Sequence, residues 1–343
     1  PKGSNLFLLA ACVEVLGRIG TPEAEAALIH AMAGLKDYFY YVGWYGDHSA
    51  LYACHASPAH YFVAEALDAM GSTKAGPIVP DLIRSVPTDP DRALMLHSDD
   101  CETLVGRVIR RSGRGPDVVE TCLALLGDPD AEPVKEIEDA VRKTYAAWAG
   151  KPGPEIRAAQ ILSLACRDAA QEPRVRAALD RYRARPPSDL KRAFGGSGLP
   201  SALPVKNWVC FYLARTLGHL GEAASVDALL AVLQQCPPEA AAGYPDPTQP
   251  EVLFLHNGLT PWSRAAAAWA IGEIGDRRAA PVLLEVVGNL ENATDTRYAA
   301  AEALGRLADP ALAGAIRDLA DGYPEVSTRR ALRRAASRIT VAE

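Results

Sequence analysis

The sequence predicts an all-α fold: a right-handed α-solenoid of about seven to eight helical pairs with long inter-repeat inserts. Three observations lead there. The segment Arg264-Ala-Ala-Ala-Ala-Trp-Ala-Ile-Gly-Glu-Ile-Gly275 returns thirty-three residues later as Arg297-Tyr-Ala-Ala-Ala-Glu-Ala-Leu-Gly305. Both copies place apolar residues at i, i+3, i+4 and i+7, the period of a helix with one buried stripe. The copies are also punctuated alike: a Gly ends the first helix, where the left-handed backbone is favoured, and a Pro or an acidic residue opens the second. One such pair cannot bury its stripe alone, so pairs must stack.

In chain order, Leu8 to Gly20 pairs with Pro22 to Met32, and Phe62 to Gly71 with Ile78 to Val86. The middle is helical but out of register: Pro133 to Trp148, Pro154 to Arg167 and Pro173 to Ala184 read as three helices of unassigned partners. Arg185-Pro-Pro-Ser and Gly195-Gly-Ser-Gly-Leu-Pro200 break the pattern as a loop or hinge. Val209 to Gly221 then pairs with Val226 to Leu233, followed by the two clear copies. Small residues there (Ala266, Ala267, Ala270 and Gly272) allow close helix approach. Ser327 to Ile339 reads as a closing helix, with Ser327 as N-cap and a polar, Arg-rich outer face. This divides the chain into 1–185, N-terminal repeats with aromatic and His inserts; 186–204, a Pro/Gly-rich hinge; and 205–343, C-terminal repeats with an Arg-rich capping helix.

These residues resemble the HEAT-repeat family, and more closely its short, phycobilisome-lyase-like form. Arg264, Ile271-Gly-Glu-Ile-Gly275-Asp276, Pro281 and Leu283-Leu284 carry the resemblance, as do Arg297, Ala303-Leu-Gly305, Asp309 and Leu312. It is closest over 261–320, covers 5–126 and 205–235 less fully, and is poor over 130–200. It implies an α-solenoid and says little of function. It also implies a stacking ladder of the repeated Arg and Asp, at Arg264, Arg297, Asp276 and Asp309.

Composition narrows the function classes. Of 343 residues, 49% are hydrophobic, which excludes wholesale disorder, and the formal charge of −6 argues against a dedicated nucleic-acid binder. No apolar run approaches the roughly 20 residues of a membrane span. Seven scattered cysteines form no C-x-x-C pair and favour a reducing compartment, so cytoplasmic placement is expected. The chain starts at Pro1, consistent with processing or with a piece of a longer polypeptide. Several cysteines, among them Cys12 and Cys166, sit in apolar helical stretches that suit buried thiols. No nucleophile elbow, P-loop or zinc signature occurs, so neither a cofactor nor a metal is implied and no catalytic residue is assigned.

The unusual residues lie in the inserts. Seven of the chain's 23 aromatics fall between Tyr38 and Tyr52, including Tyr41, Trp44 and Tyr45, with His48, His55 and His60 beside them. Aromatics with polar tips bury area at little entropic cost, which suits interfaces and pockets; alternatively the insert folds onto the first repeats. His55, His97 and His256 each follow an apolar stretch just before a first helix, so the solenoid sets them along one edge. They form either a common ligand surface or a series of local plugs. Asp99 and Asp100, near His97, fit an acid/base pair or a helix N-terminus. Trp148, Trp208 and Trp262 could stack on nucleic acid beside the basic clusters at 107–114 and 174–192, although a solvated helix face is the commoner meaning of such runs.

The expected function is a protein–protein interaction scaffold or recognition module within a larger polypeptide or complex. Its partner would be another protein or another domain of the same polypeptide. The rivals are a lyase-like enzyme or ligand-binding solenoid with a His/aromatic pocket, as a resemblance to bilin lyases implies, and nucleic-acid binding through basic helix faces.

Overall fold

The computed structural model describes residues 6–34, 58–86, 98–142, 153–185, 205–235 and 263–341. These form sixteen α-helices that stack within each of two units as a HEAT-like solenoid, with short 3₁₀ turns and no strand among the described residues. The chain divides into two compact units, Pro1–Cys166 and Arg167–Glu343.

The first unit holds α1 (Leu6–Ile19), α2 (Pro22–Gly34), α3 (Pro58–Ala69), α4 (Val79–Ser85), α5 (Ser98–Arg111), α6 (Gly115–Leu125), α7 (Lys135–Arg142) and α8 (Pro154–Ala165). Helices α1, α3, α5 and α8 stack side by side as one layer. The second helices lie behind them, α2 against α3 and α6 against α8. Thus α8 takes a first-helix place, whereas α7 is an added helix packed on α4 and α6. That insertion is why the middle loses the repeat register.

The second unit holds α9 (Glu172–Ala184), α10 (Val205–Leu220), α11 (Val226–Gln235), α12 (Ser263–Ile274), α13 (Ala280–Gly288), α14 (Thr294–Leu307), α15 (Ala313–Gly322) and α16 (Val326–Val341). Its first layer is α10, α12, α14 and α16; α11, α13 and α15 each back the next first helix, and α9 packs on α10.

Small residues set the spacing of both layers. A Cβ placed on Gly17 would lie 2.9 Å from Ala66 Cβ, and one on Gly272 2.9 Å from Ala303 Cα. The same register joins Gly218 to Ala270 and Gly305 to Ala335. Backbones come this close only where one partner has no side chain. Ala266, Ala267 and Ala270 are buried as the sequence implied.

The turns between first and second helices are built as expected, with two exceptions: α8 gives way at Cys166 to extended backbone with no left-handed residue, and α14 lacks the glycine. Gly275 ends α12 at φ +80°, but the matching position after α14 is Ala308, which takes φ 44° without glycine's freedom. Asp168, Asp276 and Asp309 then accept a backbone N–H two residues on, at 3.0 Å each, and so open the 3₁₀ turns. Two further expectations are corrected. Ser327 is not the N-cap: α16 begins at Val326, with Glu325 accepting the Thr328 hydroxyl at 3.2 Å and the Arg329 N–H at its carbonyl. Cys12 is exposed, whereas Cys122, Cys166 and Cys210 are buried.

Candidate functional site

The long connections share one topological place. Segments 35–57, 87–97, 143–152, 186–204 and 236–262 each run from the end of one described helix to the start of the next, and every one leads into a first-layer helix. Most of the candidate residues fall in them. Tyr41, Trp44, Tyr45, His48, His55, His97, His256 and Trp262 lie outside the described residues. His60 falls in the first turn of α3, and Asp99 and Asp100 in that of α5; their side chains also lie outside the described part.

What the structure describes is the framework on which those segments are mounted, and buried arginines define it. Arg264, 5% exposed, donates from Nε to the Leu233 carbonyl at 3.0 Å, joining the start of α12 to the end of α11. These are the two stems of the 236–262 segment. Arg297 does the same one repeat later: Nη1 reaches the Leu290 carbonyl at 2.5 Å and that of Asn292, while Nη2 pairs with Glu325. Arg157, 1% exposed, reaches from α8 to the Ile83 carbonyl at the end of α4. The physical reason is common to Arg264 and Arg157, whereas Arg297 takes carbonyls of the turn beyond α13. The last carbonyls of a helix have no intrahelical donor and carry the negative end of its dipole, so a guanidinium satisfies both. The ladder implied by the family resemblance is therefore replaced by another arrangement: Arg264 and Arg297 take carbonyls, whereas Asp276 and Asp309 cap turns. Arg157 was missed by sequence reasoning because its helix lacks the Ala-rich surroundings of the clear copies.

The basic clusters are largely committed within their own units. Arg107 and Arg111 both bind Asp68, at 2.8 and 2.7 Å, and Arg114 binds Asp117 and Glu136 at 2.6 and 2.5 Å. Glu136 and Asp117 raise the Arg114 guanidinium further above its ordinary value. Arg110 donates to the Leu164 carbonyl, and burial followed by repulsion from Arg107 and Arg111 lowers its pKa. In the second cluster Arg176 pairs with Glu172 at 2.8 Å, Arg183 with Asp180 at 3.1 Å, and Arg185 lies 3.8 Å over the Tyr182 ring.

Trp208 is 5% exposed, its ring set edge-on to Phe211 and stacked with Tyr212. Farther along α10, Arg215 and His219 stand half-buried against Trp269 of α12, with the His219 ring edge-on at 5.2 Å. Burial pushes the Cys122 thiol up, which keeps it protonated and a poor nucleophile near neutrality. A cavity of about 310 Å³ opens beside α7, where Glu138, already paired with Arg142 at 2.8 Å, faces Pro154 and Glu155. Among the described residues, no three His, Cys, Asp or Glu side chains cluster as metal ligands.

Stacked helical pairs tied by arginines to the carbonyls of neighbouring helices place the chain among helical-repeat solenoids. It carries HEAT repeats over residues 252–337 and PBS lyase HEAT-like repeats over 8–34 and 209–235. No curated protein matches the chain in sequence. Among solved structures, the chain is similar to human deoxyhypusine hydroxylase in complex with glycerol, at 17% identity and a TM-score of 0.33 over 98% of each chain. No described helix is long and apolar enough to cross a membrane.

Proposed function

We propose that this HEAT-repeat chain is a protein-interaction module, a scaffold or recognition part of a larger polypeptide or complex, whose partner is gripped by the inserts. The supporting observation is the Arg264–Leu233 latch, which holds both stems of the 236–262 segment at a fixed separation. Stems held in this way lower the ordering cost of whatever the insert binds. The aromatic insert at 38–52 supplies the residue types that dominate binding energy at protein interfaces. The nucleic-acid reading loses support, because most described arginines of the 107–114 and 174–185 clusters already hold carboxylates, carbonyls or a ring.

The test replaces Trp44 and Tyr45 with Ala and follows capture of native partners, identified by mass spectrometry, alongside thermal melting. Loss of specific partners with an unchanged melting temperature is expected. Lost stability with intact capture would make the insert a structural cover. The rival, a His/aromatic ligand pocket, predicts binding of a small molecule that titrates near about pH 6.5, where an unperturbed His changes charge.

A further inference from the structure

We infer that the outer face of α16 is a docking surface for an acidic helix of a partner protein. This rests on the reading of the chain as an interaction module but uses none of the inserts.

The register of the first layer in the second unit comes from Ala270, Ala303 and Ala335, the alanines that meet Gly218, Gly272 and Gly305 of the preceding helix. Two residues beyond and two before each alanine lie the positions that face the following helix. In α12 these are Ala268 and Gly272, and in α14 Ala301 and Gly305, all buried. In α16 they are Arg333 and Ser337, both exposed. Arg330, Arg334 and Arg338 flank them and are exposed as well, forming a row at i, i+4 and i+8 about 12 Å long. The surface stands where a helix-receiving face stands in α12 and α14, but one of its two small residues is replaced by Arg333, the other being Ser337.

The charge pattern of that face differs from that of the other solvated helix faces. A solvated helix face ordinarily interleaves charges, as Glu14–Arg18 and Glu138–Arg142 do here at i, i+4. Helix α16 contains five arginines and no acidic residue. Neighbours neutralise it only in part: Arg334 pairs with Glu302, Arg333 is 3.9 Å from the exposed Asp321, and Arg329 donates to the Tyr323 carbonyl. Arg330 and Arg338 have no carboxylate partner among the described residues. These two set α16 apart from the other two basic clusters, which are largely engaged internally.

Charge complementarity selects the occupant. Carboxylates at i and i+8 of a helix lying along α16 would meet Arg330 and Arg338, as charge-assisted pairs that Arg forms well, while one at i+4 would share Arg334 with Glu302. Glu302, Asp321 and the formal charge of −6 oppose any anion, but they oppose a duplex, with a charge every ~1.7 Å, more than three carboxylates on a helix. Val326, 51% exposed at the start of the face, offers an apolar contact that a phosphate backbone does not use.

The assay is fluorescence anisotropy of the full chain with a lactam-bridged helical peptide carrying Glu at i, i+4 and i+8. A matching Lys peptide and a 20-base-pair DNA duplex are run in the same buffer. Binding of the Glu peptide that weakens as salt rises is expected. The double variant Arg330→Glu, Arg338→Glu should lose at least tenfold in affinity, bind the Lys peptide instead, and melt within a few degrees of the parent. If the reversal impairs folding, Arg330→Gln with Arg338→Gln should show the same loss. Absence of Glu-peptide binding by the parent, equal binding by a folded variant, or tighter binding of the duplex would each overturn the inference. Because the peptide touches no insert, these outcomes stand apart from the Trp44 and Tyr45 test.

Discussion

Gly272→Ala tests the spacing of the first layer with a single methyl group. The new Cβ would lie 2.9 Å from Ala303 Cα and 3.0 Å from Ala303 Cβ. Carbon pairs rest at about 3.5–4.0 Å, so α12 and α14 must part by a large fraction of an ångström. Neither contacting atom can swing away, and one of them is backbone. Overpacking of this kind costs about 1–3 kcal/mol, while replacing a mid-helix Gly returns about 0.5–1 kcal/mol. The net is a loss on the order of 1–2 kcal/mol, which lowers the melting temperature of a unit of this size by about 2–8 °C. Gly314→Ala is the control: Gly314 lies in the first turn of α15 with nothing within 4 Å of its Cβ, so the same substitution should stabilise. Thermal and urea denaturation followed by circular dichroism reads both. Across the series, Gly218, with Ala270 Cα at 2.8 Å, should cost most, and Gly305, with Ala335 Cα at 3.1 Å, least. A Gly272→Ala protein as stable as the parent would refute the close stack, and equal gains at Gly272 and Gly314 would do so more strongly.

Two smaller perturbations follow. Ala308 sits at φ 44°, a conformation that costs a non-Gly residue about 1 kcal/mol or more, so Ala308→Gly should raise the melting temperature by a few degrees; a loss would mean the methyl packs usefully. Glu25 of α2 accepts the Ser72 hydroxyl at 2.6 Å and lies 3.1 Å from Lys74; chiefly the hydroxyl, and then the lysine, hold its carboxyl below the ordinary value against the opposing effect of burial. A depressed carboxylate contributes stability that is full above the ordinary carboxyl range and is lost as pH falls through the lower folded value. Ser72→Ala should therefore move the Glu25 titration upward, read from its side-chain carbon by NMR, and bring acid destabilisation on at higher pH; an unmoved titration would remove Ser72 from the account.

The repeats were legible because helix pairing is local. A Gly at the end of α12, the Asp276 that opens the next turn and the period of apolar residues all act within a few positions. The place of α7 was not legible, since Pro133 to Trp148 reads as an ordinary amphipathic helix and only packing shows that its described part, Lys135–Arg142, lies on α4 and α6 rather than in the first layer. Arg264 and Arg297 were recognised as special without their partners being evident, because a carbonyl acceptor leaves no mark in the sequence. Trp208 drew notice as an aromatic, yet its neighbours at three and four positions along α10, Phe211 and Tyr212, enclose it. The inserts follow neither the 3.6-residue nor the two-residue period, so their chemistry was readable only as residue types.

The two devices that hold these units together differ in what they tolerate. Glycine against alanine fixes how far apart first helices sit, and one methyl group is enough to disturb it. An arginine aimed at a helix end fixes where a connection starts and finishes, without constraining its length. Arg297 closes a connection of a few residues between α13 and α14, and Arg264 a connection of more than twenty between α11 and α12, both by reaching backbone carbonyls at the end of the preceding helix or just beyond it. Loop closure grows only with the logarithm of loop length, so a long insert on latched stems costs the fold little. A solenoid built this way can carry varied segments on one edge of its repeats while its stacking surfaces stay uniform. The aromatic and histidine residues concentrate in those segments, and the described helices carry mainly packing and latching groups. The exposed Arg330 and Arg338 of α16 are the exception, lying on a stacking face rather than on the loop edge.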